Sequence, residues 1–409
     1  MSGPADSIPV QRVGTAPRHL TAAAGAATRT ALDVFLAEGH PELSGRRVGL
    51  ITNPTGVNRR LRSTIDLLHE SEAVDLVALF GPEHGVRGAA QAGVTVQAAT
   101  DPRTRLPVHS LYGDALHPTS DMLKGLDALI FDIQDVGVRY ATYISTMAYA
   151  QSAATAAGLP FVVFDRPNPI TGASVEGNML DPAFASFVGV HPIPIRHGMT
   201  AGELARLFAA EHGWSEPVVA EMRGWRRTQW FDETGLPWVQ PSPNLPTLDS
   251  LALYPGTCLI EGTNVSEGRG TTRPFEVVGA PWLDPFLLAD DLERRQLPGV
   301  AFRATSFTPT FSKHADQVCG GVQAHIVDRN ALRPVELGMH LLHAIRGLDP
   351  DAFAWTERPD GGSFVDLLLG SDRPRLALTA GADVDEVMAD WAEQAGTFAN
   401  RRRPFLLYE

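Results

Sequence analysis

Four continuous apolar runs in the first half of the chain constrain its fold more than any other feature. They are Val48–Thr52, Leu76–Phe80, Leu126–Asp132 and Pro160–Phe164, and segments with helical spacing lie between them. Strands that are apolar at every position, rather than at alternate positions, are buried on both faces. Strands that alternate with helices form a parallel sheet covered by helices. The pattern therefore predicts an α/β fold that begins with a Rossmann-like, doubly wound parallel sheet.

The spacing of apolar residues places the remaining elements as well. Helices are predicted at Ala31–Glu38, Ser63–Leu68, Ser120–Gly125, Tyr140–Ala157 and Ala201–His212, and short strands at Val108–Tyr112 and, as an edge strand, Pro192–His197. Thr200 and Glu203 have the spacing of a capping box at the start of the last helix. The second half is predicted to be a smaller α/β layer, with helices at Pro285–Arg295, Pro334–Ile345 and Asp383–Ala395, and strands at Val300–Phe307, Gly321–Val327 and Phe364–Leu369.

The length of the chain and one proline-rich connector predict two domains. A chain of 409 residues exceeds one ordinary core, and domains of roughly 150–250 residues are the default. Pro237, Pro241, Pro243 and Pro246 form a stiff connector. We therefore expect a disordered tail at residues 1–28, a Rossmann-like catalytic domain at 29–243, and an α/β domain at 244–409 that completes the cleft.

Charge and composition exclude several classes of partner. The formal net charge of -13 disfavours a nucleic-acid surface or an anionic membrane surface. No apolar run reaches the roughly 18–20 residues that cross a bilayer. Two distant cysteines, Cys258 and Cys319, provide neither a disulfide framework nor a zinc site, and both are expected to be buried. A cytoplasmic protein is expected, with secretion as the alternative because Arg12 and Arg18 precede the alanine-rich run Leu20–Ala27.

Polar, glycine- and proline-marked loops follow each of the four strands, at the sheet edge where ligands bind in such folds. The loop after Leu76–Phe80 carries Glu83 and His84. Glu83 is the best candidate for the catalytic acid of a glycosidase. The alternative is a carboxylate that holds its own loop together, and a nearby Arg87 would lower the pKa of Glu83. Glu176, Asp132 and Asp135 compete for the second catalytic role, although either aspartate could instead cap the next helix.

Other chemistries have weaker support in the sequence. No G-x-G-x-x-G or Walker A motif occurs, so a nucleotide cofactor is not expected, and no cofactor is predicted. No G-x-S-x-G follows a strand, which disfavours a serine hydrolase. His84, Asp132, Asp135 and His197 could be drawn as a metal site, but their spacing matches no zinc motif. The passage Tyr254–Trp282 is rich in polar residues and glycines, and is predicted to be either a ligand-facing loop or a solvated connector.

Eight segments, in order, resemble the signature segments of the exo-β-N-acetylmuramidase family, also called NamZ. They are ITNPTG, FGPEHG, FDIQDVGVRYATYI, FDRPNPITG, VEGNMLD, PIPIRHGMTAGELA, SPNLPT and EGTNVSEGRGTTRPFEVVGAPW. The resemblance runs from about Leu32 to the C-terminus. It implies release of the terminal β-1,4-linked N-acetylmuramic acid from the non-reducing end of peptidoglycan fragments. It also implies a cleft between two domains, with Glu83 as the catalytic acid.

The chemistry of that substrate indicates further binding residues. N-acetylmuramic acid carries a lactyl carboxylate, which a guanidinium group recognises best. Candidates for this contact are Arg139, Arg166, Arg196 and Arg269. Asn53, Asn168, Asn244 and Asn264 are candidates for binding the hydroxyl or N-acetyl groups, Tyr140 or Tyr143 for stacking on a sugar face, and His84, Asp132, His197 and Glu261 for other substrate contacts.

Three alternatives to this function stay open at the level of sequence. The first is a hydrolase for a different amino sugar or a glucoside. The second is a non-catalytic sugar- or muropeptide-binding protein, and the third is a metal-dependent hydrolase. Neither the oligomeric state nor the choice between retention and inversion follows from the sequence.

Overall fold

A computed structural model describes residues 28–83, 85–88, 99–113 and 115–409. Its strands are β1 (Arg47–Thr52), β2 (Asp75–Gly81), β3 (Ala99–Thr100), β4 (Pro107–Ser110), β5 (Ala128–Asp132), β6 (Phe161–Phe164), β7 (Glu176–Met179), β8 (Pro194–Arg196), β9 (Val218–Ala220), β10 (Val277–Ala280), β11 (Val300–Phe307) and β12 (Cys319–Ile326). Its helices are α1 (Ala31–Glu38), α2 (Thr64–His69), α3 (Ser120–Leu123), α4 (Thr142–Ala156), α5 (Ala201–His212), α6 (Leu248–Thr257), α7 (Pro285–Arg294), α8 (Pro334–Leu348), α9 (Phe364–Leu369), α10 (Arg373–Ala380), α11 (Val384–Val387) and α12 (Trp391–Arg401).

The central sheet confirms the predicted α/β fold class. It has seven strands in the order β3-β4-β2-β1-β5-β6-β9, and every neighbouring pair is parallel except β3 with β4. The interior strand β5, between β1 and β6, shows why its run is apolar throughout. Leu129 and Phe131 belong to the core that includes α4 and α5, whereas Ala128 and Ile130 belong to the core beneath α1 and α2. The sheet therefore buries both of its faces under helices.

The second half forms a smaller layer, as predicted. Its antiparallel sheet has the order β10-β12-β11 and packs with α7. Apolar residues of this half share one core with Val136, Val138 and Ile170 of the first half. Because a single core crosses the predicted boundary at residue 243, the two-domain division stays a prediction.

Three sequence predictions in this half are wrong. The segment Phe364–Leu369, predicted as a strand, is helix α9, because Ser363 and Asp366 form a capping box and Gly370 ends the helix in the left-handed conformation. The segment Asp383–Ala395, predicted as one helix, contains α11 and the first turns of α12. The loop predicted from Tyr254 begins inside helix α6, which tolerates Pro255 in its last turns.

An edge strand, a helix cap and the two cysteines also agree with the sequence predictions. The predicted edge strand within Pro192–His197 is β8, which pairs antiparallel with β7. The capping box of Thr200 and Glu203 is present at α5. Cys258 and Cys319 are both buried and unbridged, as expected. None of the helices in the described ranges has the length and apolarity needed to cross a membrane. The predicted tail, apart from its last residue, lies outside the described residues.

Candidate active site

A cavity of about 790 Å³ opens where loops from the ends of the parallel strands meet the second half of the chain. Both halves contribute to its wall. The described residues that line it are Glu83, Tyr112, Tyr140, Thr142, Phe187, Val188, Asn244, Tyr254, Cys258, Glu261, Arg269, Phe311, Ser312, Phe364 and Leu368. The set contains two carboxyl groups and one guanidinium among aromatic side chains. A pocket of this size accepts a small saccharide, since ligand sites commonly enclose about 300–1,000 Å³.

Glu83 lies two residues beyond the end of β2 and is half-buried in the cavity wall. The hydroxyl of Thr142, the first residue of α4, donates to Glu83 Oε2 at 2.9 Å. Burial raises the pKa of the Tyr112 phenol to about 12, and the charge of Glu83 and a hydrogen bond to it act in the same direction. Two hydroxyl groups thus orient this carboxyl group.

The opposite half of the chain contributes a compact group of four charges. Arg269 Nη2 lies 2.6 Å from Glu261 Oε1, and its Nε lies 3.1 Å from Glu267 Oε1. Lys313 Nζ lies 3.1 Å from Glu267 Oε2 and donates to the carbonyls of Ile260, Glu261 and Val265. We call Glu261, Glu267, Arg269 and Lys313 the charge cluster. Of its members, Glu261 and Arg269 line the cavity.

The surroundings of Glu261 are otherwise neutral and apolar. Burial raises the pKa of Glu261, and the positive charge of Arg269 opposes this effect. Burial also raises the pKa of Cys258 and of Tyr254 well above their ordinary values. The Cys258 thiol lies 3.5 Å from Glu261 Oε1. Arg269 is therefore the principal group that favours ionisation of Glu261.

Aromatic rings form the rest of the wall. The Tyr140 and Tyr254 rings meet edge to face at 5.6 Å between centroids, and Tyr254 meets Phe275 in the same manner at 4.8 Å. The Tyr140 hydroxyl donates to the carbonyl of Pro255, which fixes the ring between the two halves of the chain. At the rim, Phe311 is 46% exposed. Aromatic faces and edges of this kind suit the C–H surfaces of a sugar ring.

Five of the residues predicted for the site line the cavity: Glu83, Tyr140, Asn244, Glu261 and Arg269. Their roles stay predictions. His84 lies outside the described residues. The remaining predicted residues make other contacts, described next, and are not among the cavity-lining residues.

Asp132 and Arg166 form a buried ion pair rather than a wall of the cavity. Arg166 Nε lies 2.5 Å from Asp132 Oδ1, and its Nη2 lies 3.0 Å from Oδ2. Thr64 donates to the same carboxylate at 2.5 Å. The pair joins the ends of β5 and β6 to the loop after β1, because Arg166 also donates to the carbonyl of Val57. These two strand-end residues therefore pair with each other and with neighbouring groups of the fold.

Two other predicted arginines are also committed to the fold. Arg139 is 1% exposed and donates to the carbonyls of Asn178, Ile193 and Leu368. Burial lowers the pKa of Arg139 to about 9. Arg196 is ion-paired with Glu176 and donates to the carbonyl of Ile170. Glu176, predicted as a second catalytic group, is thereby held by a buried cation outside the cavity lining.

Three of the four predicted amides, and the second aspartate, are not among the cavity-lining residues. Asp135 accepts from the Gly137 amide at 2.8 Å and lies 3.5 Å from His197 Nε2. Asn168 bridges the Met199 carbonyl and the Ile170 amide. Asn53 caps its own loop by accepting from Thr55, and Asn264 exchanges hydrogen bonds with the backbone of Ala352 and Ala354. Across the described ranges, no group of three or more His, Cys, Asp and Glu side chains is placed to hold a metal ion.

The sequence reasoning missed several wall residues. They are Tyr112, Thr142, Phe187, Val188, Tyr254, Cys258, Phe311, Ser312, Phe364 and Leu368. Thr142 could have been found, because it begins the helix that follows the β5 loop. Phe311 had no signal in the sequence: it comes from a loop held to Gly270 by the Thr310 amide and hydroxyl.

Comparisons with known proteins agree over nearly the whole chain. It matches the family models described as Exo-beta-N-acetylmuramidase NamZ, N-terminal, over residues 48–249 and C-terminal over residues 252–408. It is 49% identical over 381 residues to the Peptidoglycan beta-N-acetylmuramidase NamZ of Bacillus subtilis (strain 168), covering 93% of this chain and 91% of that protein. Two crystal structures of DUF1343 family proteins from Bacteroides fragilis NCTC 9343 are similar, with TM-scores of 0.85 and 0.71 at 39% and 29% identity. Each alignment covers 93% of this chain and 99% of the other.

Proposed function

Because this chain belongs to the exo-β-N-acetylmuramidase NamZ family, we propose that it is a glycoside hydrolase that releases terminal, non-reducing β-1,4-linked N-acetylmuramic acid from peptidoglycan fragments. The observation that carries the proposal is one cavity that holds both a carboxyl group at the strand ends, Glu83, and a guanidinium, Arg269. Glu83 supplies the carboxyl group that cleavage requires, and Arg269 matches the lactyl carboxylate that distinguishes N-acetylmuramic acid.

Glu83 is the proposed catalytic acid. Cleavage of a glycosidic bond requires a carboxyl group that gives its proton to the leaving oxygen. The Thr142 hydroxyl holds one oxygen of Glu83, so the carboxyl plane has a defined direction in the cavity. A fixed direction matters because proton transfer needs the two heavy atoms within hydrogen-bond reach.

Arg269 is the proposed partner of the lactyl carboxylate. Of the four arginines considered from the sequence, Arg269 lines the cavity, whereas Arg139, Arg166 and Arg196 bind carbonyls or carboxylates elsewhere. The Arg269 guanidinium stands 5.2 Å from the Phe275 ring centroid, which limits its movement. A pre-oriented guanidinium loses little freedom on binding a carboxylate. Asn244, buried in the same wall, offers an amide to the hydroxyl or N-acetyl groups.

The test is turnover of the disaccharide in which N-acetylmuramic acid is β-1,4-linked to N-acetylglucosamine. The wild-type protein should release both monosaccharides, and Glu83→Gln should retain the fold and lose about 10²–10⁴-fold in kcat, the usual contribution of a general acid. Glu70→Gln is the matched control, because Glu70 is an exposed residue beside α2 and is paired with Arg62.

Each result distinguishes between possible functions of the cavity. Wild-type turnover in Glu83→Gln would remove Glu83 from the chemistry. Binding of the disaccharide without any release of sugar by the wild-type protein would instead show a sugar-binding protein. Faster cleavage of an N-acetylglucosaminide than of the muramide would identify a hydrolase for another amino sugar.

A further inference from the structure

We propose that Glu261 takes up a proton from solvent when the carboxylate of the sugar binds Arg269, so that this protein binds its anionic ligand together with one proton. The inference rests on the proposed function, because it requires a carboxylate-bearing sugar in the cavity. It gives Glu261 the role of a proton acceptor in substrate recognition.

Several charged groups already surround the Arg269 guanidinium. Arg269 already contacts two carboxylates, Glu261 at 2.6 Å and Glu267 at 3.1 Å. With Lys313, the charge cluster contains two cations and two anions. A ligand carboxylate at Arg269 would make three anions against two cations in a largely buried site. Like charges held this close do not all ionise, so one of the three carboxyl groups becomes protonated.

Of these three carboxyl groups, Glu261 is the one that takes the proton. Glu267 keeps a second cation whatever happens at Arg269, because Lys313 Nζ lies 3.1 Å from its other oxygen. Lys313 donates to the Glu261 backbone carbonyl at 3.2 Å, and its charge lowers the pKa of the Glu261 carboxyl group less than the charge of Arg269 does. The ligand carboxylate would hold Arg269 from the cavity side. Of the three carboxyl groups, Glu261 would then have the weakest interaction with a cation, so its protonation would cost the least free energy.

Outside the charge cluster, the described side chains that face Glu261 contribute no positive charge. Three of them are Tyr254 in α6, Cys258 just after α6, and Tyr140 two residues before α4. Burial raises the pKa of all three, so they are uncharged near neutral pH. Glu83 lines the same cavity and adds no cation. Burial already raises the pKa of Glu261 in the free protein, and Arg269 is the main group that opposes this. Sharing Arg269 with a ligand therefore moves the pKa of Glu261 further upward.

Two consequences follow for binding. Between the pKa of Glu261 in the free protein and its higher pKa in the complex, binding takes up as much as about one proton, and affinity falls up to about tenfold for each unit of pH increase. Below that window Glu261 is already protonated and uptake ceases. A neutral analogue of the sugar needs no such proton.

The experiment is calorimetric titration of the protein with N-acetylmuramic acid in pairs of buffers that differ in ionisation enthalpy, over a pH series that brackets neutrality. The dependence of the measured heat on the buffer gives the number of protons taken up. For the wild type we expect uptake that approaches about one proton within the window. We expect no uptake with the methyl ester of the same sugar.

Two variants complete the design. Glu261→Gln carries a neutral side chain of the same size and should bind N-acetylmuramic acid without proton uptake and with little dependence on pH. Glu276→Gln is the matched control, because Glu276 is also a buried glutamate of this half, ion-paired with Arg273, and is not a cavity-lining residue. It should retain the uptake of the wild type.

The outcomes separate this inference from the function on which it rests. Binding of N-acetylmuramic acid with no proton uptake, or uptake that persists in Glu261→Gln, would overturn the role of Glu261 and leave the proposed function standing. Failure of the wild type to bind the acid at any pH would overturn this inference, whereas the proposed function is decided separately by turnover of the disaccharide.

Discussion

The two halves of the molecule use ion pairs in opposite ways. On the side of the parallel sheet, Asp132 at the end of β5 and Arg166 just after β6 pair beneath the surface, at 2.5 and 3.0 Å, and neither lines the cavity. On the other side, Arg269 and Glu261 also form an ion pair, at 2.6 Å, but both side chains border the cavity. The first pair holds strand ends together, and the second pair is accessible to a ligand.

The difference shows what an ion pair near a cleft does. A buried ion pair that is hydrogen-bonded within the protein matters mainly for stability, because removal of one partner leaves the other charge buried without compensation. A pair beside open space can exchange one partner for a ligand group of the same charge. We therefore expect substitutions in the sheet-side pair to change stability, and substitutions in the cavity-side pair to change recognition.

The largest expected effect is on the sheet side. Asp132→Asn leaves Arg166 buried with no counter-charge, and we expect the free energy of unfolding to fall by about 3–5 kcal/mol. Denaturant unfolding followed by tryptophan fluorescence measures the loss. In the protein that remains folded, kcat/KM for the muramide should stay near that of the wild type.

A double substitution provides the control for this prediction. Asp132→Leu with Arg166→Met removes both charges and should recover much of the lost stability, because apolar replacements of a complete buried pair are often neutral. If Asp132→Asn retained wild-type stability and lost turnover, the sheet-side pair would belong to the chemistry, and the contrast between the two ion pairs would fail.

The second effect is on the cavity side. Arg269→Lys keeps the positive charge beside Glu261 and Glu267, so the fold should be preserved, but the ammonium group cannot form the two-pronged contact with a carboxylate. We expect kcat/KM for the muramide to fall by about 10–100-fold, which corresponds to the roughly 1.5–3 kcal/mol of a charge-assisted hydrogen bond.

The neutral methyl ester of the muramide is the matched substrate for this variant. Its kcat/KM should change much less, because it presents no carboxylate to residue 269. An equal loss for the acid and the ester would mean that Arg269 positions the wall rather than the ligand.

Much of the fold could be predicted from local patterns. The apolar runs located β1, β2, β5 and β6, and the spacing of Thr200 and Glu203 located the start of α5. These features depend on residues that are close in the chain. The strand prediction for Phe364–Leu369 is wrong, because its apolar residues suit a strand whereas the cap at Ser363 and the end at Gly370 determine a helix.

The site was less predictable, because the direction of each side chain and the groups that it contacts depend on residues far away in the sequence. Glu83 and Asp132 both follow a strand closely, yet Asp132 meets Arg166 from the next strand end and Glu83 borders the cavity. Nothing local distinguishes the two carboxylates. Similarly, Arg269 differs from Arg139 only through what surrounds it in the fold: Arg139 is enclosed by three carbonyls, one of which is 229 positions away.

A further effect concerns Asp165, a buried carboxyl group that is comparable with Glu261 once a ligand shares Arg269. Asp165, just after β6, accepts hydrogen bonds from the Thr200 and Tyr408 hydroxyls and from the Gly202 amide. Burial raises its pKa from 3.8 to about 7, although these hydrogen bonds oppose the shift, and the charge of Glu203 adds to it.

Because the pKa of Asp165 is higher in the folded than in the unfolded state, the folded protein holds a proton between about pH 4 and pH 7 that the unfolded chain releases. Stability contributed by this group is therefore lost as pH rises through that window. Asp165→Asn cannot accept as many hydrogen bonds and should be less stable than wild type near pH 4. The gap should narrow towards pH 7, by on the order of 1 kcal/mol per pH unit at its steepest. Urea unfolding of both proteins over this range measures the gap, and a constant gap would mean that Asp165 is ionised throughout. Such a result would also weaken the expectation that Glu261 becomes protonated when its only guanidinium is shared.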